Sequence, residues 1–91
     1  IDLPTVFRVH QNYPNPFNPI TTIKYELSQR SDVLITLFDL NGREMTTLVS
    51  ETQDAGYNLV IWDASNVSSG MYFYQIVAGE FMQTRKMVLL K

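Results

Sequence analysis

The most regular feature of the chain is the alternation of apolar and polar residues over short segments. Residues 22–27 read TIKYEL, in which every second side chain is apolar. A period of two puts one set of side chains on a buried face and the other set in solvent, as in a half-buried β-strand. The same pattern predicts seven strands and no helix, with strands at residues 7–10, 22–27, 33–40, 43–48, 57–63, 71–78 and 81–90.

Short strands separated by turn signals at intervals of about 8–12 residues are typical of an antiparallel β-sandwich. We therefore predict an all-β fold, a seven-stranded antiparallel β-sandwich of the immunoglobulin-like or fibronectin-like kind. The spacing does not separate these topologies from a jelly roll. We expect residues 1–12 to be a linker with a short first strand, and residues 13–91 to form the sandwich.

The sequence also predicts a central strand, the turn that follows it, and the largest core residue. The strand at 33–40 has apolar residues on both faces, which predicts a central strand, and Asn41-Gly42 follows it. This dipeptide tolerates positive φ at both positions, so we expect a hairpin closed by a type I′ turn at Gly42. Trp62 is the single tryptophan, and we expect it to be the largest residue of the core.

Residues 12–19, NYPNPFNP, interrupt the strand pattern with three prolines. Proline has no N–H for a sheet ladder and restricts the residue before it to extended geometry. The segment is therefore predicted to be a stiff, turning connector that places Tyr13 and Phe17.

Composition excludes several classes of protein. The chain has 91 residues, a net charge of −2 without a basic stripe, and no cysteine. It is predicted to be one small domain without a nucleic-acid surface, a disulfide or a thiol nucleophile. Its longest apolar run, residues 87–90, is far shorter than the about 20 residues of a membrane helix.

The sequence contains little catalytic chemistry. His10 is the only histidine, so no triad can be assembled. Asp39 with Asn41, and Asp63 with Asn66, could contribute oxygen ligands to calcium, but the carboxylates more simply accept hydrogen bonds from loop N–H groups. We therefore expect no metal and no cofactor.

Two binding surfaces can be considered. Sugar stacking would use the five tyrosines and the tryptophan, although strand aromatics in a small domain usually form the core; these residues are Tyr13, Tyr25, Tyr57, Trp62, Tyr72 and Tyr74. The second surface is the last strand, where Thr84-Arg85-Lys86 precedes an apolar run and Lys91 closes the sequence. Its cations either guard a sheet edge or set the register of a partner strand that adds to that edge.

Five short motifs occur in an order that resembles a known family. They are NYPNPFNP at 12–19, FDLNGR at 38–43, AG at 55–56 followed by WD at 62–63, SGMYFY at 69–74 and TRKMVLLK at 84–91. Together they resemble the type A C-terminal sorting domain of type IX secretion substrates. The chain departs from that pattern at Asn58, where histidine is common, and at Ala64, where glycine is common.

The resemblance implies a non-enzymatic domain that directs a secreted cargo protein across the outer membrane to the cell surface of Bacteroidetes-like bacteria. The export signal that it implies is the C-terminal set Arg85, Lys86, Met87, Leu89 and Lys91. The entry motif that it implies is Pro14, Asn15, Pro16 and Phe17, and the implied turn glycines are Gly56 and Gly70.

The implied partners are the outer-membrane secretion machinery, a sortase-like surface peptidase and an N-terminal cargo domain, with the sorting domain itself a monomer. Two other functions remain open at this point. One is an accessory carbohydrate-binding or adhesion module of a secreted hydrolase, and the other is an immunoglobulin-like spacer similar to flagellar hook-capping domains.

Overall fold

The computed structural model describes residues 2–91, and Ile1, the first residue of the predicted linker, lies outside the described residues. Within this range the chain contains strands and no helix. The strands are β1 Arg8–Val9, β2 Ile20–Leu27, β3 Ser31–Phe38, β4 Glu44–Gln53, β5 Gly56–Asp63, β6 Gly70–Ala78 and β7 Phe81–Leu89. The all-β, seven-stranded prediction is confirmed, with shifts at the strand ends.

The strands form two antiparallel sheets that pack as a sandwich, consistent with an immunoglobulin-like fold. One sheet has the order β1-β2-β5 and the other has the order β4-β3-β6-β7. β3 lies between β4 and β6, which confirms that it is central. Its inner side chains, Val33, Ile35 and Leu37, are at most 2% exposed, and β6 and β7 continue the sheet as a hairpin.

The strand at residues 44–53 is longer than predicted. The predicted strand ended at Leu48, whereas Glu51, Thr52 and Gln53 continue β4 and pair with β3. Their side chains are exposed or partly exposed. An edge strand with solvent on its outer face needs no apolar alternation, and the periodicity therefore missed this extension.

The core is formed by the alternate apolar side chains of both sheets together with Phe17 of the proline-rich segment. Its largest fully buried side chains include Tyr25, Tyr74 and Phe17. The Tyr25 hydroxyl donates to Gln53, and the Tyr74 hydroxyl donates to the carbonyl of His10 at 2.7 Å. Burial raises the pKa of both tyrosines, so each remains a neutral hydrogen-bond donor at neutral pH.

Trp62 lies at one end of this core and is 8% exposed. Its ring centroid is 5.7 Å from that of Phe17 and 5.8 Å from that of Tyr72. Trp62 therefore connects β5, the proline-rich segment and β6 through one aromatic cluster, whereas Tyr25 and Tyr74 are more deeply buried.

The hairpin between β3 and β4 is present, but the predicted type I′ turn is wrong. Gly42 has φ of +81°, and no non-glycine residue in the described range has positive φ. The Gly42 N–H donates to the Asp39 carbonyl, and the Asp39 N–H donates to the Arg43 carbonyl, both at 2.9 Å. This is a four-residue turn over 39–42 whose last residue, Gly42, is left-handed and is the only one of the four with positive φ.

Replacing Trp62 by alanine is expected to cost about 3–5 kcal/mol, because the cavity would open between three structural elements of a small domain. Urea unfolding followed by circular dichroism measures the loss, since the variant has no tryptophan fluorescence. Trp62→Phe is the matched control and should lose less. A Trp62→Ala domain with native stability would contradict the packing role.

Gly42→Val is expected to destabilise the domain by about 1–3 kcal/mol, because a β-branched residue resists the left-handed conformation. Nothing lies within 4 Å of the added Cβ, so the cost comes from the backbone and not from a clash. Gly42→Asn should cost clearly less, since asparagine tolerates positive φ. Equal thermal stability of the two variants would show that the backbone of Gly42 is not constrained.

Candidate functional site

The proline-rich segment, residues 11–19, lies along the outer edge of β7; we call it the connector. Phe17 is the connector residue whose backbone pairs with β7. The Phe17 N–H donates to the Val88 carbonyl at 2.9 Å, and the Leu90 N–H donates to the Phe17 carbonyl at 3.0 Å. These bonds make a parallel bridge between Phe17 and Leu89. One residue of the connector thus acts as a short additional strand beside the last strand.

Two connector side chains extend this pairing. The Val88 N–H donates to Asn15 Oδ1 at 2.9 Å, and Gln11 Nε2 donates to the Lys86 carbonyl at 2.7 Å. In an antiparallel pair, alternate residues direct both backbone groups away from the neighbouring strand. Phe17, Asn15 and Gln11 therefore provide partners for four groups that β7 directs away from β6, which are the Lys86 and Val88 carbonyls and the Val88 and Leu90 N–H groups.

The composition of the connector suits this role. The peptide bonds preceding Pro14, Pro16 and Pro19 are all cis. Proline lacks an N–H, whereas Phe17 retains one and can both donate and accept. The Phe17 side chain is 2% exposed and enters the core, which fixes its peptide groups against β7.

Asn12 anchors the other end of the connector. It is 2% exposed, and its N–H donates to the Tyr74 hydroxyl at 2.9 Å. Its side-chain Nδ2 donates to the Pro14 carbonyl at 3.1 Å and to Thr21 Oγ1 at 3.0 Å. No local sequence pattern indicates this role of Asn12, because Tyr74 lies 62 residues further along the chain.

The proposed export-signal residues separate into a buried pair and three surface cations. Met87 and Leu89 are fully buried and face the core. Arg85 Nε donates to the Val9 carbonyl at 3.0 Å, and Lys91 Nζ donates to the Ser65 carbonyl at 2.8 Å. Lys86 is exposed. Within residues 2–91 none of these cations forms an ion pair.

The connector already occupies much of the β7 edge, where the sequence suggested that a partner strand could add. A partner strand could pair with residues 86–90 only after displacing Phe17, Asn15 and Gln11. The connector does not cover the outward backbone groups of Met82 and Thr84. These two residues offer only a short stretch of β7 for strand addition. A partner that leaves the connector in place would therefore contact mainly side chains in this region.

The other proposed site residues take structural positions. Pro14, Asn15 and Pro16 are exposed on the connector. Gly56 and Gly70 are the first residues of β5 and β6, with φ of 149° and 153°. His10 pairs with Glu26 across β1 and β2. Within the described residues, no group of three acidic or histidine side chains is placed to hold a metal ion.

Asp39 and Asp63 both accept hydrogen bonds at strand ends. Asp39 Oδ1 accepts from the N–H groups of Arg43 and Asn41 at 2.9 Å, and Asp63 Oδ1 accepts from the Ser65 N–H at 2.9 Å. The backbone bond from Arg43 lowers the pKa of Asp39, and the hydroxyl of Ser65 lowers the pKa of Asp63. These contacts favour the loop-capping interpretation over calcium.

Most of the aromatic residues considered for sugar stacking are buried. Tyr25, Trp62, Tyr72 and Tyr74 are at most 8% exposed. Tyr13 and Tyr57 are exposed, at 80% and 66%. A sugar-stacking surface would therefore have to use Tyr13 and Tyr57.

Comparison with known families identifies the chain. Residues 11–90 match the model of the secretion system C-terminal sorting domain, and the chain belongs to this family. It is a C-terminal sorting signal for type IX secretion, which marks proteins for passage across the outer membrane to the cell surface or the extracellular space. Searches of curated proteins and of solved structures returned no match. No helix in residues 2–91 is long and apolar enough to cross a membrane.

Asn15→Leu is expected to destabilise the domain by about 0.5–1.5 kcal/mol, because it removes the acceptor for the Val88 N–H at an exposed sheet edge. Asn15→Asp keeps an acceptor oxygen in the same place and should retain most of the stability at neutral pH. Urea unfolding of both variants tests the contact. Equal losses in the two variants would indicate that the Asn15 oxygen does not support β7.

The depressed pKa of Asp39 predicts an acid-sensitive contribution to stability. The contribution is complete above the unfolded-state pKa, near pH 4, and is lost as the pH falls through the lower folded-state value. The melting temperature of the native domain should therefore fall more steeply below about pH 4 than that of Asp39→Asn. Parallel pH profiles would contradict the loop-capping role.

Proposed function

We propose that the secretion machinery recognises this domain in its folded state, through side chains displayed around the connector and β7. The observation that supports this most strongly is the set of hydrogen bonds from Gln11, Asn15 and Phe17 to the outer edge of β7. Because four outward main-chain groups between Lys86 and Leu90 already have partners, strand addition there would first have to break those hydrogen bonds. A partner that binds side chains has no such cost.

The side chains around the connector and β7 have a defined chemistry. Arg85, Lys86 and Lys91 supply positive charge, and Leu90, 57% exposed, supplies an apolar contact. The complementary partner surface would be acidic with a small apolar site. Charge complementarity of this kind speeds association and fixes orientation. Met87 and Leu89 act indirectly, since their burial holds β7 in place.

We further propose that the domain performs no chemistry of its own. Its family is one of sorting domains, and the chain has one histidine and no cysteine from which to build a nucleophile and base. The sortase-like surface peptidase would be the catalyst that separates cargo from domain. The residues that it could reach lie before Phe7, where Leu3 and Val6 are about half exposed although Pro4 is buried, whereas Val9 and Asn12 are packed into the fold.

The test replaces Arg85, Lys86 and Lys91 together by glutamine in a reporter fusion expressed in a bacterium with type IX secretion. Surface display is expected to fall severalfold while the purified domain still folds, because the exposed charges of Lys86 and Lys91 contribute little to folding and Arg85 contributes one hydrogen bond, to the Val9 carbonyl. The matched control replaces Lys24, Arg30 and Arg43 by glutamine, which removes the same charge elsewhere and should leave display unchanged.

Native display of the Arg85, Lys86 and Lys91 variant would contradict the role of these cations. Loss of display in both triple variants would show that net charge, and not the surface around β7, controls export. Equal display after removal of the whole domain would contradict the sorting role in this fusion.

A further inference from the structure

Two open sheets have four edges, and three of these are protected. β1 is two residues long, and the Val9 and His10 carbonyls beside it accept from Arg85 and from the Tyr74 hydroxyl. β7 is covered by the connector over residues 86–90. β4 has two register shifts against β3 and carries Glu44 and Glu51. Short length, bulges, charge and coverage all discourage edge-to-edge pairing.

The edge of β5 has none of these protections. Thr22 and Lys24 of β2 direct their backbone groups to Tyr13 and His10, away from β5. The alternating residues of β2 therefore bond β5 through Asn58, Val60 and Trp62. The N–H and C=O groups of residues 57, 59 and 61 consequently point to the open edge, and within residues 2–91 no backbone partner outside the sheet reaches them.

The same three residues form an exposed apolar stripe. Tyr57, Leu59 and Ile61 are 66%, 56% and 58% exposed on the outer face of the sheet. From Gly56 to Ile61 the strand has no charged residue, and Asp63 is its single charge. Open backbone groups and exposed alternate apolar side chains together make this edge suited to pair with another strand.

We propose that β5 pairs with β5 of a second copy of this chain, antiparallel and about a two-fold axis at Leu59. In this register Leu59 faces Leu59, and Tyr57 faces Ile61 of the second copy. An aromatic residue opposite a β-branched residue is a favourable cross-strand pair. Asp63 faces Ala55 of the second copy, so this register places no like charges opposite each other. The β5 edge is therefore complementary to a second copy of itself.

A second copy fits better than an open-ended assembly because each domain offers one unprotected full-length edge. Pairing of this edge with itself uses the same surface on both molecules and closes the assembly at two. The result is a six-stranded sheet with the order β1-β2-β5-β5-β2-β1, in which Lys24 and Glu26 flank the apolar stripe. The two connectors lie at opposite ends and remain accessible. This proposal departs from the monomer expected from the sequence.

Sedimentation velocity over a concentration series tests the pairing. The native chain should shift from monomer to dimer, and Leu59→Lys should raise the dimer dissociation constant by at least about tenfold, because it places two cations face to face. Leu59→Glu should behave in the same way. A 1:1 mixture of the two variants should recover dimerisation, because lysine then faces glutamate.

Met82→Lys is the matched control, since Met82 is 65% exposed on the uncovered stretch of the β7 edge. It should leave dimerisation unchanged. A native chain that stays monomeric at all concentrations would overturn the proposal. A Leu59→Lys dimer as tight as the native dimer, or a mixture that stays monomeric, would do the same.

A second measurement does not depend on the stability of the charged variants. The chain has no cysteine, so Leu59→Cys introduces a single thiol. Mild oxidation or a short bismaleimide should link two Leu59→Cys chains efficiently and Met82→Cys chains poorly. Equal linking at both positions would mean random collision and would overturn the register at Leu59. Neither outcome depends on export, so this test is separate from that of the sorting role.

Discussion

The edges of a β-sandwich carry backbone groups that the sheet leaves without partners, and in this domain Phe17 bonds two of them on the last strand. Its N–H and C=O bond the Val88 carbonyl and the Leu90 N–H, while its ring enters the core beside Trp62. A single residue thus couples a polar edge to apolar packing. Phe17 is buried, and an unpaired buried backbone group costs more than a net hydrogen bond gains, so this contact constrains both the connector and β7.

This coupling explains why two sequence motifs at opposite ends of the domain belong together. The entry motif has no regular structure of its own, and the terminal motif is an edge strand with two buried apolar residues, Met87 and Leu89. Each completes the other only after the sandwich has formed. Under the function proposed above, the sorting signal is a property of the folded domain, since a disordered copy of residues 84–91 would lack the arrangement of Arg85, Lys86 and Lys91.

The sequence predicted local features well because they depend on local physics. Alternation located the strands, and Asn41-Gly42 located the hairpin. The turn type was wrong because it depends on which residue pairs with which, and here Asp39 closes the turn so that only Gly42 has positive φ. The extension of β4 was missed because polar residues can form an exposed edge. The contacts of Asn15 with Val88 and of Asn12 with Tyr74 join distant segments and have no local signal.

Amide hydrogen exchange of the native domain, measured residue by residue by NMR, tests the central claim most directly. The Thr84, Val88 and Leu90 amides all face away from β6, but only Val88 and Leu90 have connector partners among the described residues. We predict strong protection of Val88 and Leu90 and rapid exchange of Thr84. Equally rapid exchange at all three positions would show that the connector does not cover the edge of the last strand.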